Sequence, residues 1–182
     1  VDGRVRAQSR PSQIHGTIQR DLIKLIDSHL TDQGNICRIL PVPSIVPAAL
    51  SDWNERHPDA AVTCEPIDPK MHEMRNPVAI FEILSPTNAE DTWRNLADFI
   101  SIPSVREILY LESEAIHGYF FRRRSDGSWP GAYTEIDAGG TVEFETIGWR
   151  CVLDDIYGRT GLDPATSPRR GLKRYGKSAQ RG

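Results

Sequence analysis

An unbroken apolar run in this chain holds a single carboxylate in its middle: Pro77-Val78-Ala79-Ile80-Phe81-Glu82-Ile83-Leu84-Ser85-Pro86. Its β-branched and aromatic content and its bounding prolines describe a strand buried on both faces. An ionised Glu inside such a strand is costly unless it is paired or holds a cation. Upstream, His57-Pro58-Asp59-Ala60-Ala61-Val62-Thr63-Cys64 has the same form, with Asp59 at the mouth of an apolar strand. Two carboxylates on adjacent central strands make a site for a hard divalent cation. A structural role stands beside each: Asp59 as a strand-end turn acid, Glu82 as the partner of Arg94 or Arg106 in a buried ion pair.

The remaining chain supplies the layers. Ser12 can cap a helix starting near Gln13, and Ile14, Ile18, Leu22, Leu25, Ile26 and Leu30 recur at helical spacing up to a stop near Gly34. His15 lies in its first turn beside the apolar stripe. Residues 35–47 alternate and contain prolines, as in a strand near a sheet edge. After the Glu82 strand, Asn88 can cap a second helix through about Ile102, ended by Pro103, and Val105 to Leu111 forms another buried strand. Strand, helix, strand is a crossover, which makes the two strands parallel. The stretches 117–121, 131–136 and 141–144 read as hairpin strands with turns at Asp126-Gly127 and Gly139-Gly140, and 148–157 as a short closing helix. The opening Val1-Asp2-Gly3-Arg4-Val5 reads as a tight hairpin turn. The whole predicts a mixed α/β (α+β) fold with a central mixed sheet flanked by helices and an added β-hairpin region.

Charge divides the chain. All six charged residues after Asp163 are basic (Arg169, Arg170, Lys173, Arg174, Lys177 and Arg181), so a whole-chain charge of -3 leaves -9 on residues 1–163. This predicts one folded domain over 1–163 and a basic, disordered tail over 164–182, read as a solvated terminus rather than a polyanion-binding arm. No stretch approaches the roughly 18 apolar residues of a membrane span, and no leader is apparent, so the expected location is the cytoplasm. Cys37, Cys64 and Cys151 lack zinc-ligand spacing and are expected to be unpaired, buried small hydrophobes. There is no Gly-x-Ser-x-Gly elbow, and no cysteine has a telling histidine, which argues against a Ser or Cys nucleophile.

Three segments in order resemble one family. Val1-Asp2-Gly3 followed by Ser12-Gln13-Ile14-His15, then His57-Pro58-Asp59, then Phe81-Glu82-Ile83-Leu84-Ser85-Pro86 with Asp91 beyond, resemble the Uma2 family of the restriction-endonuclease-like PD-(D/E)xK superfamily over roughly residues 1–158. The resemblance implies a restriction-endonuclease-like core and a metal-dependent nuclease acting on DNA. Asp59, Glu82 and the Ile83 carbonyl would hold Mg²⁺ or Mn²⁺, and His15 would contact the phosphate or a metal-bound water. It also implies pairing of two copies, a homodimer with its sites on opposite strands.

The chain departs from this pattern where the superfamily has a lysine two residues after the Glu, since that position is Leu84. Relatives often supply the lysine from the following helix, and here that turn carries Arg94 and Asn95. Arginine stabilises phosphate charge but stays protonated at neutral pH. Arg4 is a second departure. The candidate nucleic-acid contacts are therefore His15, Arg94 and the run Arg122, Arg123 and Arg124, which equally suits a cation-guarded edge strand. Two functions stay open: a nuclease using His15, Asp59, Glu82, Arg94 and Asn95, or a catalytically weakened relative serving as a nucleic-acid or protein binding module.

Overall fold

The computed structural model of the protein describes residues 12–47 and 55–166. The predicted Val1–Val5 hairpin with Arg4, the 48–54 part of the polar connection, and nearly all of the basic tail lie outside the described residues.

Helix α1 (Gln13–Asp32) begins as the sequence implies: the Ser12 hydroxyl accepts the His15 backbone N–H at 3.1 Å, and Gly34, at φ 60°, follows the last turn. Ile18, Leu22, Ile26 and Leu30 form its buried face. Strand β1 (Arg38–Pro41) is shorter than the alternation suggested, with Ser44 and Ile45 continuing only as isolated bridges. β2 (Ala60–Thr63) and β3 (Pro77–Leu84) follow, then α2 (Ala89–Ser101), β4 (Glu107–Glu112), β5 (His117–Arg122) and β6 (Thr134–Asp137). These strands make one sheet in the order β1-β2-β3-β4-β5-β6. β3 and β4 are parallel, joined across α2, and the other neighbours are antiparallel. β1, which ends in Pro41, stands at the sheet edge, where a proline's missing N–H is tolerated.

β3 is covered on both sides, as its unbroken apolar run requires. Ala79, Phe81 and Ile83 pack into the core under α1, while Ile80 and Leu84 pack with Leu96, Phe99 and Ile102 of α2 and its C-terminal end. Glu82 has the parity of Ile80 and Leu84, so it belongs to the α2 side. The core under α1 is closed by a separate hairpin, β7 (Thr141–Phe144) and β8 (Trp149–Val152), followed by a single-turn helix α3 (Leu153–Tyr157).

Three expectations are corrected here. Residues 148–157 do not form one helix: Trp149 and Cys151 point inward and Arg150 and Val152 outward, a two-residue period that makes β8 before α3 begins. Asn88 precedes α2 but does not cap it through its side chain; its Oδ1 instead accepts the Ser85 N–H at 3.0 Å and the Ser85 hydroxyl at 2.6 Å, fixing the bend out of β3. Cys37 and Cys64 are joined in a disulfide, because the β1–β2 register that pairs Arg38 with Thr63 brings them opposite one another one step further on. Cys151 is the free, buried thiol, pushed up to about 11 by burial and then by Asp155.

Candidate active site

Asp59 sits immediately before β2, and the pairing of Ala60 with Phe81 places it opposite Glu82. Every polar group of Asp59 is engaged. Its N–H donates to Glu82 Oε2 at 3.3 Å, and its Oδ2 accepts the Ile83 N–H at 2.7 Å. Its Oδ1 lies 2.8 Å from His15 Nε2, and its carbonyl accepts the Val42 N–H at 3.1 Å and the Gln19 side-chain amide at 2.7 Å. The carboxylate is thus held from both sides, by α1 and by the backbone of β3.

Glu82 is 5% exposed. Its carboxyl is held well above the ordinary carboxylate range, first by burial and next by the negative charge of Asp59. The Asp59 N–H and the Asn95 side chain, both hydrogen-bonded to it, pull the other way without cancelling those effects. Two acids therefore face each other where one charge more than the surroundings tolerate must be neutralised. Among the described residues no three His, Cys, Asp or Glu side chains are arranged as a ready metal cage. The donors at this point are two carboxylates, the type that suits a hard cation better than a soft one.

The structure brings together His15, Asp59, Glu82, Ile83 and Asn95. Asn95, which the resemblance sets against a lysine, has its side chain hydrogen-bonded to Glu82. An amide cannot take up a proton there, so it can orient Glu82 but not serve as a base. Arg94, one residue earlier, turns to the surface and pairs with Glu90 at 2.6 Å and Asp91 at 2.8 Å. Arg106 lies by Arg123. Glu82 has neither of these arginines as its partner.

Arg122, Arg123 and Arg124 are not brought to the carboxylates. The register sets Glu82 level with Tyr110 and Tyr119, so Arg122 lies two strands across and three residues towards the other end of the sheet. Arg122 binds Glu107 at 2.9 Å together with Glu145 and the Glu143 carbonyl. Arg123 donates to the carbonyls of Ile100, Ile102 and Pro103 and lies over the Trp129 ring, while Arg124 reaches Ser128 and the Trp129 carbonyl. Gln19 is the site residue the sequence reading missed. The available signal was its place four residues after His15, on the same helical face.

Comparison with known proteins identifies the family and the fold. The sequence profile of Uma2, described as "Putative restriction endonuclease", matches residues 1–146. No curated protein matches this chain. A solved structure from Anabaena variabilis, titled a "putative nuclease belonging to DUF820", superposes with a TM-score of 0.67 at 16% identity, covering 88% of this chain and 89% of that one. At that identity the likeness speaks for the fold alone, a mixed sheet flanked by helices. With the profile spanning most of the chain, this protein belongs to the Uma2 family of restriction-endonuclease-like proteins.

Proposed function

We propose that this protein is a divalent-cation-dependent nuclease that hydrolyses phosphodiester bonds of DNA, with Asp59 and Glu82 as its acidic ligands. The observation that carries the reading is the buried Asp59–Glu82 pair itself, an acid-to-acid contact in which Glu82 has an amide and a backbone N–H but, among the described residues, no cationic side chain. Mg²⁺ or Mn²⁺ held by Asp59, Glu82 and the Ile83 carbonyl would supply a nucleophilic water at neutral pH and stabilise charge on the phosphoryl group. Around it, the chain's own residues orient and neutralise. The Ile83 N–H and His15 fix the rotamer of Asp59, and Asn95 steadies Glu82. His15, through its contact with Asp59, borders the place where a phosphate would lie and can donate a hydrogen bond to it. Arg94 would serve the phosphate only by leaving Glu90 and Asp91.

In this reading residues 1–163 are the working unit, 164–182 are a basic extension, and two copies on one duplex would cut opposite strands. No described helix is long and apolar enough to cross a membrane. One observation favours a second reading, a nucleic-acid or protein binding module: Asn95 provides no proton acceptor where relatives have lysine.

The test is cleavage of supercoiled plasmid and single-stranded DNA in Mg²⁺, Mn²⁺ or EDTA, with Glu82→Ala and Asp59→Ala compared in the same assay. Cutting by the native chain in metal, lost at least a hundredfold in both folded variants, is the expected result. DNA binding without cutting, or cutting that survives both substitutions, transfers the assignment to the binding module.

A further inference from the structure

We propose that Gln19 is a positioning residue for Asp59, setting the angle at which that carboxylate is presented to a divalent cation; the inference rests on the nuclease reading above. Asp59 stands at a strand entrance, where a ladder holds the backbone from one side. The Asp59 carbonyl accepts the Val42 N–H across the sheet, and its second acceptor direction is filled by the Gln19 amide at 2.7 Å. One helical turn earlier, His15 meets Oδ1 of the same residue at 2.8 Å. α1 therefore grips Asp59 at two points, the side chain through His15 and the main chain through Gln19. Because the Ser12 cap fixes the first turn of α1, both contacts are referred to one rigid element. Rotation of the Asp59 peptide would swing both carboxylate oxygens away from Glu82, and Gln19 opposes that rotation.

A purely structural role predicts a different result. Gln19 is half-buried and borders an open groove of about 490 Å³, lined also by Gly16, Arg20, Ile23 and Pro41. When the amide is removed the Asp59 carbonyl keeps the Val42 N–H, and a water taking the place of the amide would fill the second acceptor direction, so little is taken from the fold. What water cannot replace is the fixed direction. Groups that orient ligands in this indirect way are worth about 10–100-fold in metal affinity.

The experiment titrates Mn²⁺ into the full chain without DNA, by calorimetry and electron paramagnetic resonance, for native protein, Gln19→Met, Gln19→Asn, Gly16→Ala and Glu82→Gln, with thermal midpoints recorded alongside. Gln19→Met keeps the length without the donor, and Gln19→Asn keeps the donor on a shorter arm. Gly16→Ala fills the same groove where an added Cβ meets nothing within 4 Å. The expected result is Mn²⁺ affinity about tenfold or more weaker in both Gln19 variants, unaltered in Gly16→Ala, with midpoints close to native. In cleavage, kcat should fall with KM for DNA little changed. Unaltered Mn²⁺ affinity in the Gln19 variants, or a loss that only follows a falling midpoint, overturns the role of Gln19 while leaving the nuclease reading intact. Absence of Glu82-dependent Mn²⁺ binding in the native chain overturns both.

Discussion

Two buried glutamates stand on neighbouring strands of one sheet and are treated in opposite ways. Glu107, 1% exposed on β4, accepts from Arg122 Nε at 2.9 Å and from the backbone N–H groups of Glu145 and Thr146 at 2.9 and 3.1 Å. Its charge has a cation and two amides, and it ties β4 and β5 to the turn before β8. Glu82, also buried on β3, has among the described residues one long backbone contact and an amide, and faces a second carboxylate. Inside a fold, a satisfied acid works as a cross-brace. An acid set against another acid costs stability, and that cost marks Asp59 and Glu82 as the candidate functional pair.

Removing either carboxylate separates the two cases. Glu107→Ala is expected to cost about 3 kcal/mol in urea unfolding, because Arg122 and two N–H groups lose their acceptor. Glu82→Gln, which keeps the shape and discards the charge, should leave stability unchanged or raise it at neutral pH. Equal losses in the two variants would erase the distinction.

Acidity gives the next largest contrast. Folded Glu82 binds its proton more tightly than the unfolded chain does, so the unfolded state loses that proton first as pH rises. The contribution of Glu82 to stability is therefore greatest below the ordinary carboxylate range and falls from there up to the raised value of Glu82, by at most about 1.4 kcal/mol per pH unit. Urea midpoints of the native chain minus those of Glu82→Gln, followed from pH 4 to 8, should show this decline; a flat difference would mean that Asp59 and burial do not hold the proton on Glu82.

The smallest effect comes from making one glutamate resemble the other. Asn95→Lys would place a cation beside Glu82, as Arg122 stands beside Glu107. A gain of about 1 kcal/mol at neutral pH and a flatter pH dependence are expected, with faster cleavage if the amide has limited proton transfer. A loss of stability would show that the pocket near Asn95 has no room for the longer chain.

Much of this was legible in the sequence, for reasons particular to each element. The β3 run is apolar on consecutive positions, which only a strand covered on both faces requires, and the helical periods of α1 and α2 supply the covers. Asp59 and Glu82 were legible because each interrupts an apolar stretch. Gln19 was not, since a glutamine on a helix face looks like any solvated side chain until the strand entrance comes to meet it. β8 was hidden by its length, as four residues of alternation resemble the start of a helix. The arginine run misled because composition reports cations without their partners: Arg122 is spent on Glu107, and Arg123 on the end of α2. The cysteine pairing depends on a register between strands whose cysteines lie 27 residues apart.

That disulfide bears on how firmly the acidic pair is assembled. Asp59 lies inside the loop closed by Cys37 and Cys64, together with all of β1 and β2. Closing a loop of this length removes conformational freedom from the unfolded chain equivalent to roughly 3.5 kcal/mol. The segment bringing Asp59 to Glu82 would draw that contribution only in oxidising surroundings. Where thiols are kept reduced, the same segment depends on the β2–β3 ladder and the grip of α1, which ties the permanence of the acidic pair to the redox state of the medium.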